Sequence, residues 1–383
     1  MSILLILLAA AGRSDFETMS TMSDPSATAA AVPVPVARLR RAIASSSRSA
    51  THAPRSSLWD IVLSRKISSE TREEGIWVAS PPLASDAAEP RCVAQIIPDA
   101  SEPTDTRKIR KARINLFHCM SNGVDSDACT ADDNVQNDVY CTLNCAMESL
   151  IASSLDNKSQ RIALTFGSLD RYLVPHVRDA LQANPRLSQH NFFSTFTSQC
   201  GMWIHEADDK NKEQGQNPPT LADQSLALSE GVVIRPLTQT DAELVNSKWE
   251  YKSDGSLEMI QKMIATSEAK GGCVGIAVNG TLVSWMLRYL DGSIGMLFTD
   301  ENHRRKGYAG VVVNGAVSDI RSKSQQYNED IDCIDMGRDR MISYIVDSNK
   351  ASKNLYIKLG WKRVADADWI GFASRKPKYD KST

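Results

Sequence analysis

The chain carries almost no net charge: 44 Lys and Arg stand against 46 Asp and Glu, leaving −2 at neutral pH. That balance removes any whole-chain electrostatic case for a nucleic-acid or membrane partner. Long apolar runs are also missing. The stretch from Ile3 to Ala11 is far shorter than the roughly 20 residues that cross a bilayer. It ends in small residues, as a secretory leader does, but no basic residue precedes it, and Met19 or Met22 would serve as starts that remove it.

Among eight cysteines there is no C-x-x-C pair. Four of them, Cys119, Cys129, Cys141 and Cys145, crowd together, the last two one helical turn apart. Buried thiols, a zinc site completed by His118, and a disulfide all remain open, with a reducing, cytoplasmic compartment as the expectation. His118, His176 and His205 are isolated in sequence and read as structural or solvated. The chain also lacks G-x-x-x-x-G-K-[ST], a G-x-G-x-x-G following a strand, and H-E-x-x-H, which removes the commonest nucleotide and zinc-protease chemistries.

What is present is the composition of a soluble globular protein, 42% hydrophobic and 23% charged, with length enough for about two domains. Residues 1–90 read as a low-complexity, largely disordered tail, since Ser14 to Pro90 is rich in Ala, Ser, Pro and Thr. Within it Arg38, Arg40, Arg41, Arg48 and Arg55 occur with no acidic residue between them. A solvated basic tail or a mitochondrial presequence fits that composition, so a mitochondrial address is the alternative to the cytoplasm.

Residues 91–207 read as a first α/β domain. Cys92–Ile97, Ile114–Phe117 and Ile162–Phe166 have strand signals, and Val139–Ile151 has helical spacing. A second helical stretch, Leu169–Leu181, contains Pro175, which is expected to kink or split it. Residues 208–229, with Gly215, Pro218 and Pro219, read as a linker.

Residues 230–383 have a different texture. Val232–Arg235 is a strand, Thr238 with Asp241 opens a helix, and Leu257, Ile260, Met263 and Ile264 mark a second one. Gly275–Val278 and Leu282–Tyr289 form a hairpin through Asn279-Gly280, and Asp291-Gly292 turns into Ile294–Thr299. Next comes FTDENHRRKGYAGVVV, Phe298 to Val313: a strand, a turn with three cations, small residues, and a helix from Tyr308 to about Ser322. Free amides at a helix start, close backbone approach and positive charge together make an anion site. A strand near Ile342–Val346, a helix from Asn349 to Leu359 stopped by Gly360, and strands at Trp361–Val364 and Trp369–Phe372 are expected to close the sheet.

Arg304, Gly307 and Ala309 fit the R/Q-x-x-G-x-G/A signature, and Asn349, Ser352, Leu355, Tyr356 and Gly360-Trp361 resemble a second late signature. The chain thus resembles the GNAT superfamily of N-acetyltransferases. More narrowly, Ile234–Tyr251, Val283–Thr299 and Asp347–Trp361 are similar to glycine N-acyltransferase and its relatives. The fold class implied is α/β with a mixed sheet: a GNAT fold in the C-terminal half, preceded by a divergent α/β half and a disordered tail.

The resemblance implies acyl transfer from acetyl-CoA or another acyl-CoA to a small amine or amino acid, with no metal, no nucleic acid and no membrane; it leaves the oligomeric state open. Leu297, Phe298 and Thr299 would pair with the pantetheine arm. Arg304, Arg305, Lys306, Gly307, Tyr308, Ala309 and Gly310 would hold the pyrophosphate, and Asn349 and Ser352 would share a helix face with Tyr356, the implied general acid. A protein or peptide N-acetyltransferase and a silent CoA-binding module are the alternatives. Where the animal relatives carry a glutamate base, this chain has Ser293. Asp335 and Asp347 lie near strand ends as substitute bases or plain surface carboxylates, and Trp249 with Tyr251 would border the acceptor or pack in the core.

Overall fold

The computed structural model describes residues 32–33, 76–80, 92–98, 110–118, 131–152, 162–183, 191–206, 221, 229–252, 255–326 and 340–374. The apolar stretch Ile3–Ala11, the arginine cluster, most of the tail and linker, Cys119, Cys129 and Asp335 lie outside them. Part of the stretch read as tail is ordinary sheet: β1 is Val32–Pro33 and β2 is Ile76–Ser80.

The first half continues with β3 (Cys92–Pro98), β4 (Arg110–His118), α1 (Ala131–Ala152), β5 (Ile162–Leu169), α2 (Leu173–Ala183), β6 (Phe193–Ser198) and β7 (Cys200–Glu206). After the linker come β8 (Val232–Pro236), a short 3-10 turn, α3 (Ala242–Lys248), α4 (Ser256–Lys270), β9 (Val274–Val278), β10 (Thr281–Arg288) and β11 (Ile294–Thr299). Then follow α5 (Tyr308–Gln326), β12 (Arg340–Val346), α6 (Lys350–Lys358), β13 (Lys362–Asp366) and β14 (Asp368–Ala373). The expected mixed α/β class is the one observed.

One order of elements occurs twice. Three antiparallel strands, a crossover helix, a parallel strand, a second helix and two more strands run from β2 to β7 and again from β9 to β14. Parallel neighbours need a long crossover, and α1 and α5 supply it between β4 and β5 and between β11 and β12.

Two seven-stranded sheets result, and each contains a strand from the other half. The first runs β1-β2-β3-β4-β5-β14-β6, and the second β13-β7-β12-β11-β10-β9-β8. Thus β14 does not close the sheet of its own half, as the sequence suggested. It enters the first sheet between β5 and β6, while β7 enters the second between β12 and β13.

Pro175 also differs from expectation. It falls in the first turn of α2, where its missing N–H would have had no helical partner, so the helix runs unbroken to Ala183. On the first sheet α1 and α2 bury Val139, Leu143, Met147, Leu173 and Val177 against Ile114, Leu164 and Phe166. The second sheet is covered on both faces: Val312, Val313, Ala316 and Tyr356 pack on one, Ala242, Val245, Ile260 and Met263 on the other. The consecutive valines of α5 are poor helix formers, and this burial overrides their propensity.

Asp241 locks the start of α3. Its carboxylate accepts from the Thr238 amide at 2.7 Å and takes a two-point bond from Arg235 at 2.8 and 2.9 Å. Burial pushes this carboxyl up, but the Arg235 and Thr238 bonds outweigh it and hold it below the ordinary aspartate range. Its stabilising effect is complete above the unfolded pKa and fades as pH falls through the lower folded value. Asp241→Asn should therefore cost about 1–3 kcal/mol at pH 7, by denaturant titration. The gap to wild type should narrow below about pH 4; a gap independent of pH would refute the charge-based account.

Candidate functional site

The second sheet is split between β11 and β12. The two strands share one register pair, Ile294 with Ser343, and then diverge. Just past it β11 is kinked by a bulge facing Trp285–Leu287 of β10, and Met296 takes φ +54°, a left-handed conformation uncommon outside glycine. Asp300 donates its amide to Val283 of β10 at 2.8 Å. Amides alternate between the two edges of a strand, so those of Thr299 and Leu297 face the edge that β12 has left. Phe298 faces β10 instead, and its ring stacks on Trp285 at 4.4 Å. The result is a wedge with one wall of backbone amides that find no acceptor among the described residues.

The basic turn sits at the mouth of this wedge. Asp300 caps a short 3-10 turn by accepting from the Asn302 amide at 3.0 Å, and the Arg304 Nε donates to the Thr299 carbonyl at 3.2 Å. Arg304 also lies 3.5 Å from Glu301, whereas Arg305 and Lys306 are exposed and have no acidic partner among the described residues. Within α5 the first acceptor is the Gly307 carbonyl, bonded by the amides of Gly310 and Val311 at 3.0 and 3.3 Å. The amides of Lys306, Gly307, Tyr308 and Ala309 find no acceptor among the described residues. Gly307 has φ +84°, and a Cβ there would touch nothing within 4 Å. The backbone is therefore bare toward the outside. Gly310 differs: a Cβ there would rest on Leu355 and Leu359 at 3.8 Å, an ordinary packing distance.

Tyr356 forms part of the wedge floor. It projects from α6, is 2% exposed, and its ring packs on Trp361 at 4.8 Å. Ser343, half of the last register pair, donates its hydroxyl to the Tyr356 Oη at 3.1 Å. That bond uses the phenol as an acceptor, leaving its own proton without an acceptor among the described residues. Burial pushes the phenol up to about 12, with the Ser343 bond pulling the other way, so the group stays protonated at physiological pH.

Asn349 and Ser352 serve local structure. The Asn349 side chain caps α6 by accepting from the Ser352 amide at 3.0 Å, which fixes the start of the helix carrying Tyr356. Asp347 is already engaged, bonded by Arg171 at 2.8 Å and approached by Arg363 at 3.5 Å, which ends its candidacy as a free base. Ser293 donates to Asp291 within its turn. Trp249 packs partly buried beneath β10, and Tyr251 is exposed. Cys141 and Cys145 lie on α1 and form no disulfide, and no group of three metal-binding side chains occurs among the described residues. No helix among them is long and apolar enough to cross a membrane.

Residues 273–329, which span β9 to α5 and hold the basic turn, match the family described as FR47-like protein. No curated protein matches the chain. A Drosophila protein of known crystal structure is 14% identical over 89% of this chain and 97% of its own, with a TM-score of 0.54, which shows a shared fold. A GCN5-related N-acetyltransferase from Sphaerobacter thermophilus is 12% identical over 90% and 94%, TM-score 0.46. A tandem GNAT protein from the clavulanic acid biosynthesis pathway is 10% identical over 91% and 99%, TM-score 0.44.

Proposed function

We propose that the chain is an acyl-CoA-dependent N-acyltransferase acting on a small amine or amino acid, as the likeness to glycine N-acyltransferase implies. The observation that carries this is the wedge: β11 and β12 part after one register pair, immediately beside a cationic turn with bare amides. The donor's pyrophosphate lies over residues 305–310, and its pantetheine amides bond along the free edge of β11. The thioester carbonyl then meets the fixed amides of the bulged strand, which stabilise the oxyanion as it forms. The acceptor nitrogen attacks the carbonyl carbon, a C–N bond forms, and the C–S bond breaks. The ammonium proton leaves to water, and Tyr356 hands its phenolic proton to the departing thiolate.

The units β2–β7 and β9–β14 are in this reading two repeats with a single donor site. In the first repeat β4 and β5 stay paired from Arg110 with Ile162 to Ile114 with Phe166. The connection after β4, residues 119–130, holds Asp125 and Asp127 and no Lys or Arg, which repels a pyrophosphate. Because each sheet contains a strand from the other half, the full chain is the unit to assay.

Calorimetry with CoA should give one site per chain. Gly307→Trp should weaken it about 100-fold, equivalent to about 2.7 kcal/mol; φ +84° strains any L side chain there by about 1–2 kcal/mol, so Gly307→Ala, which carries the strain without the bulk, is the control. Retained affinity would refute the phosphate turn. Intact CoA binding with no thiol release across a panel of amines would instead identify a silent binding module.

A further inference from the structure

The closed end of the wedge is the last register pair of β11 and β12, Ile294 with Ser343. Ile294 is buried on the α5 side of the sheet together with Tyr356, whose Oη accepts from Ser343 at 3.1 Å. The next residue, Gly295, turns to the other side: it pairs with Leu287, which is buried against α3 and α4. There the Tyr289 ring lies where a side chain of residue 295 would stand. A Cβ on Gly295 would be 2.7 Å from Cε2, 3.5 Å from Oη and 3.6 Å from Cδ2. Only glycine lets the ring rest so closely on the strand.

The turn that follows β10 holds Tyr289 in this place. Its amide donates to the Ser293 carbonyl at 2.8 Å, and its own carbonyl accepts from the Gly292 amide at 2.9 Å. With Met296 and Phe298, the ring packs against the cluster that holds Trp285 and Leu287. Burial, followed by the Asp291 carboxylate, pushes the phenol well above the ordinary tyrosine range, so the ring presents a neutral surface. No signature marks Tyr289, which reads in the sequence only as the last residue of a strand.

We propose that Tyr289 sets the acyl length of the donor, its ring forming the end wall of the acyl pocket and limiting the group to two or three carbons. This rests on the acyltransferase reading and goes beyond it in assigning the residue that selects the donor. The Leu297 amide, which faces the thioester, is three residues from the last pair, about 10 Å at the ordinary strand rise. Contact distances of about 3.5 to 4 Å at each end leave room for one or two carbons beyond the carbonyl. A longer chain or an aryl ring has to leave through one face of the sheet. Tyr356, held between Ser343 and Trp361, closes one face, and Tyr289 closes the other.

The test is calorimetry of the full chain with CoA, acetyl-CoA, hexanoyl-CoA and benzoyl-CoA, which needs no acceptor. Wild type should bind hexanoyl-CoA and benzoyl-CoA about 10- to 100-fold more weakly than acetyl-CoA. Tyr289→Ala and the milder Tyr289→Leu should bring both within a few-fold of acetyl-CoA, whereas Tyr289→Phe, which keeps the ring, should retain the wild-type order. CoA carries no acyl group, so its binding in each variant reports that the fold survives. Bulky thioesters that bind wild type as tightly as acetyl-CoA would overturn the role of Tyr289 while the acyltransferase reading stands. So would discrimination that persists in a CoA-binding variant without the ring. A wild-type chain that binds none of the four sinks both.

Discussion

Replacing Tyr356 by phenylalanine should lower kcat about 10²- to 10⁴-fold while leaving the affinity for CoA within a few-fold of wild type. The ring is buried against Trp361 and contributes packing that phenylalanine keeps. What disappears is one hydroxyl with a defined hydrogen-bond economy. Ser343 donates to it, so the only proton it can give is its own, toward the opening between β11 and β12. The stability cost should be small, about 1 kcal/mol for the Ser343 hydroxyl left without its acceptor. A melting curve separates that cost from the kinetic one. The pH profile adds a second readout: a phenol at about 12 predicts no loss of activity from its ionisation between pH 6 and about 10. Unchanged turnover in the phenylalanine variant would reduce Tyr356 to a packing residue and leave proton delivery to water.

The second half was legible because its signals are local. Asn279-Gly280 dictates a two-residue turn, and both residues take positive φ in the structure. Thr238 and Asp241 form the reciprocal cap their spacing suggests. The turn at Arg304–Gly307 and the position of Tyr356 on α6 follow from motif spacing alone. The exchange of β7 and β14 was not legible, since a strand carries the same apolar pattern whichever sheet it joins, and pairing across more than 130 residues leaves no mark on either segment. β6 was missed for a related reason: as an edge strand it is exposed along nearly its whole length and offers little period-2 contrast.

Arg171→Leu should be the most damaging substitution to stability, by about 3 kcal/mol in denaturant titration. Arg171 precedes α2 in the first half and gathers three carboxylates from the second: Asp368 by a two-point bond at 2.9 Å, Asp347 at 2.8 Å and Asp366 at 3.2 Å. These sit at the end of β12, the end of β13 and the start of β14, the point where the chain crosses from one sheet to the other. Asp368 also accepts the Cys200 amide at 3.0 Å, at the start of the reciprocal crossing β7. Both exchanges are therefore pinned at one guanidinium. Losing it leaves Asp368, 1% exposed, as a buried charge beside two others with only Arg363 to share between them. Breaking a buried pair typically costs about 3–5 kcal/mol, and the lower end applies because the Arg171 side chain is 34% exposed. If burial of the orphaned charge is the cause, Asp368→Asn added to Arg171→Leu should recover part of the loss, giving a coupling of about 1–2 kcal/mol in the double-mutant cycle. Additive costs would mean that packing of the exchanged strands, and not this clasp, holds the halves together. The clasp also fixes the end of β12 through Asp347, so the single variant should bind CoA more weakly even under conditions where it remains folded, as the wall of the wedge opposite β11 loses its anchor.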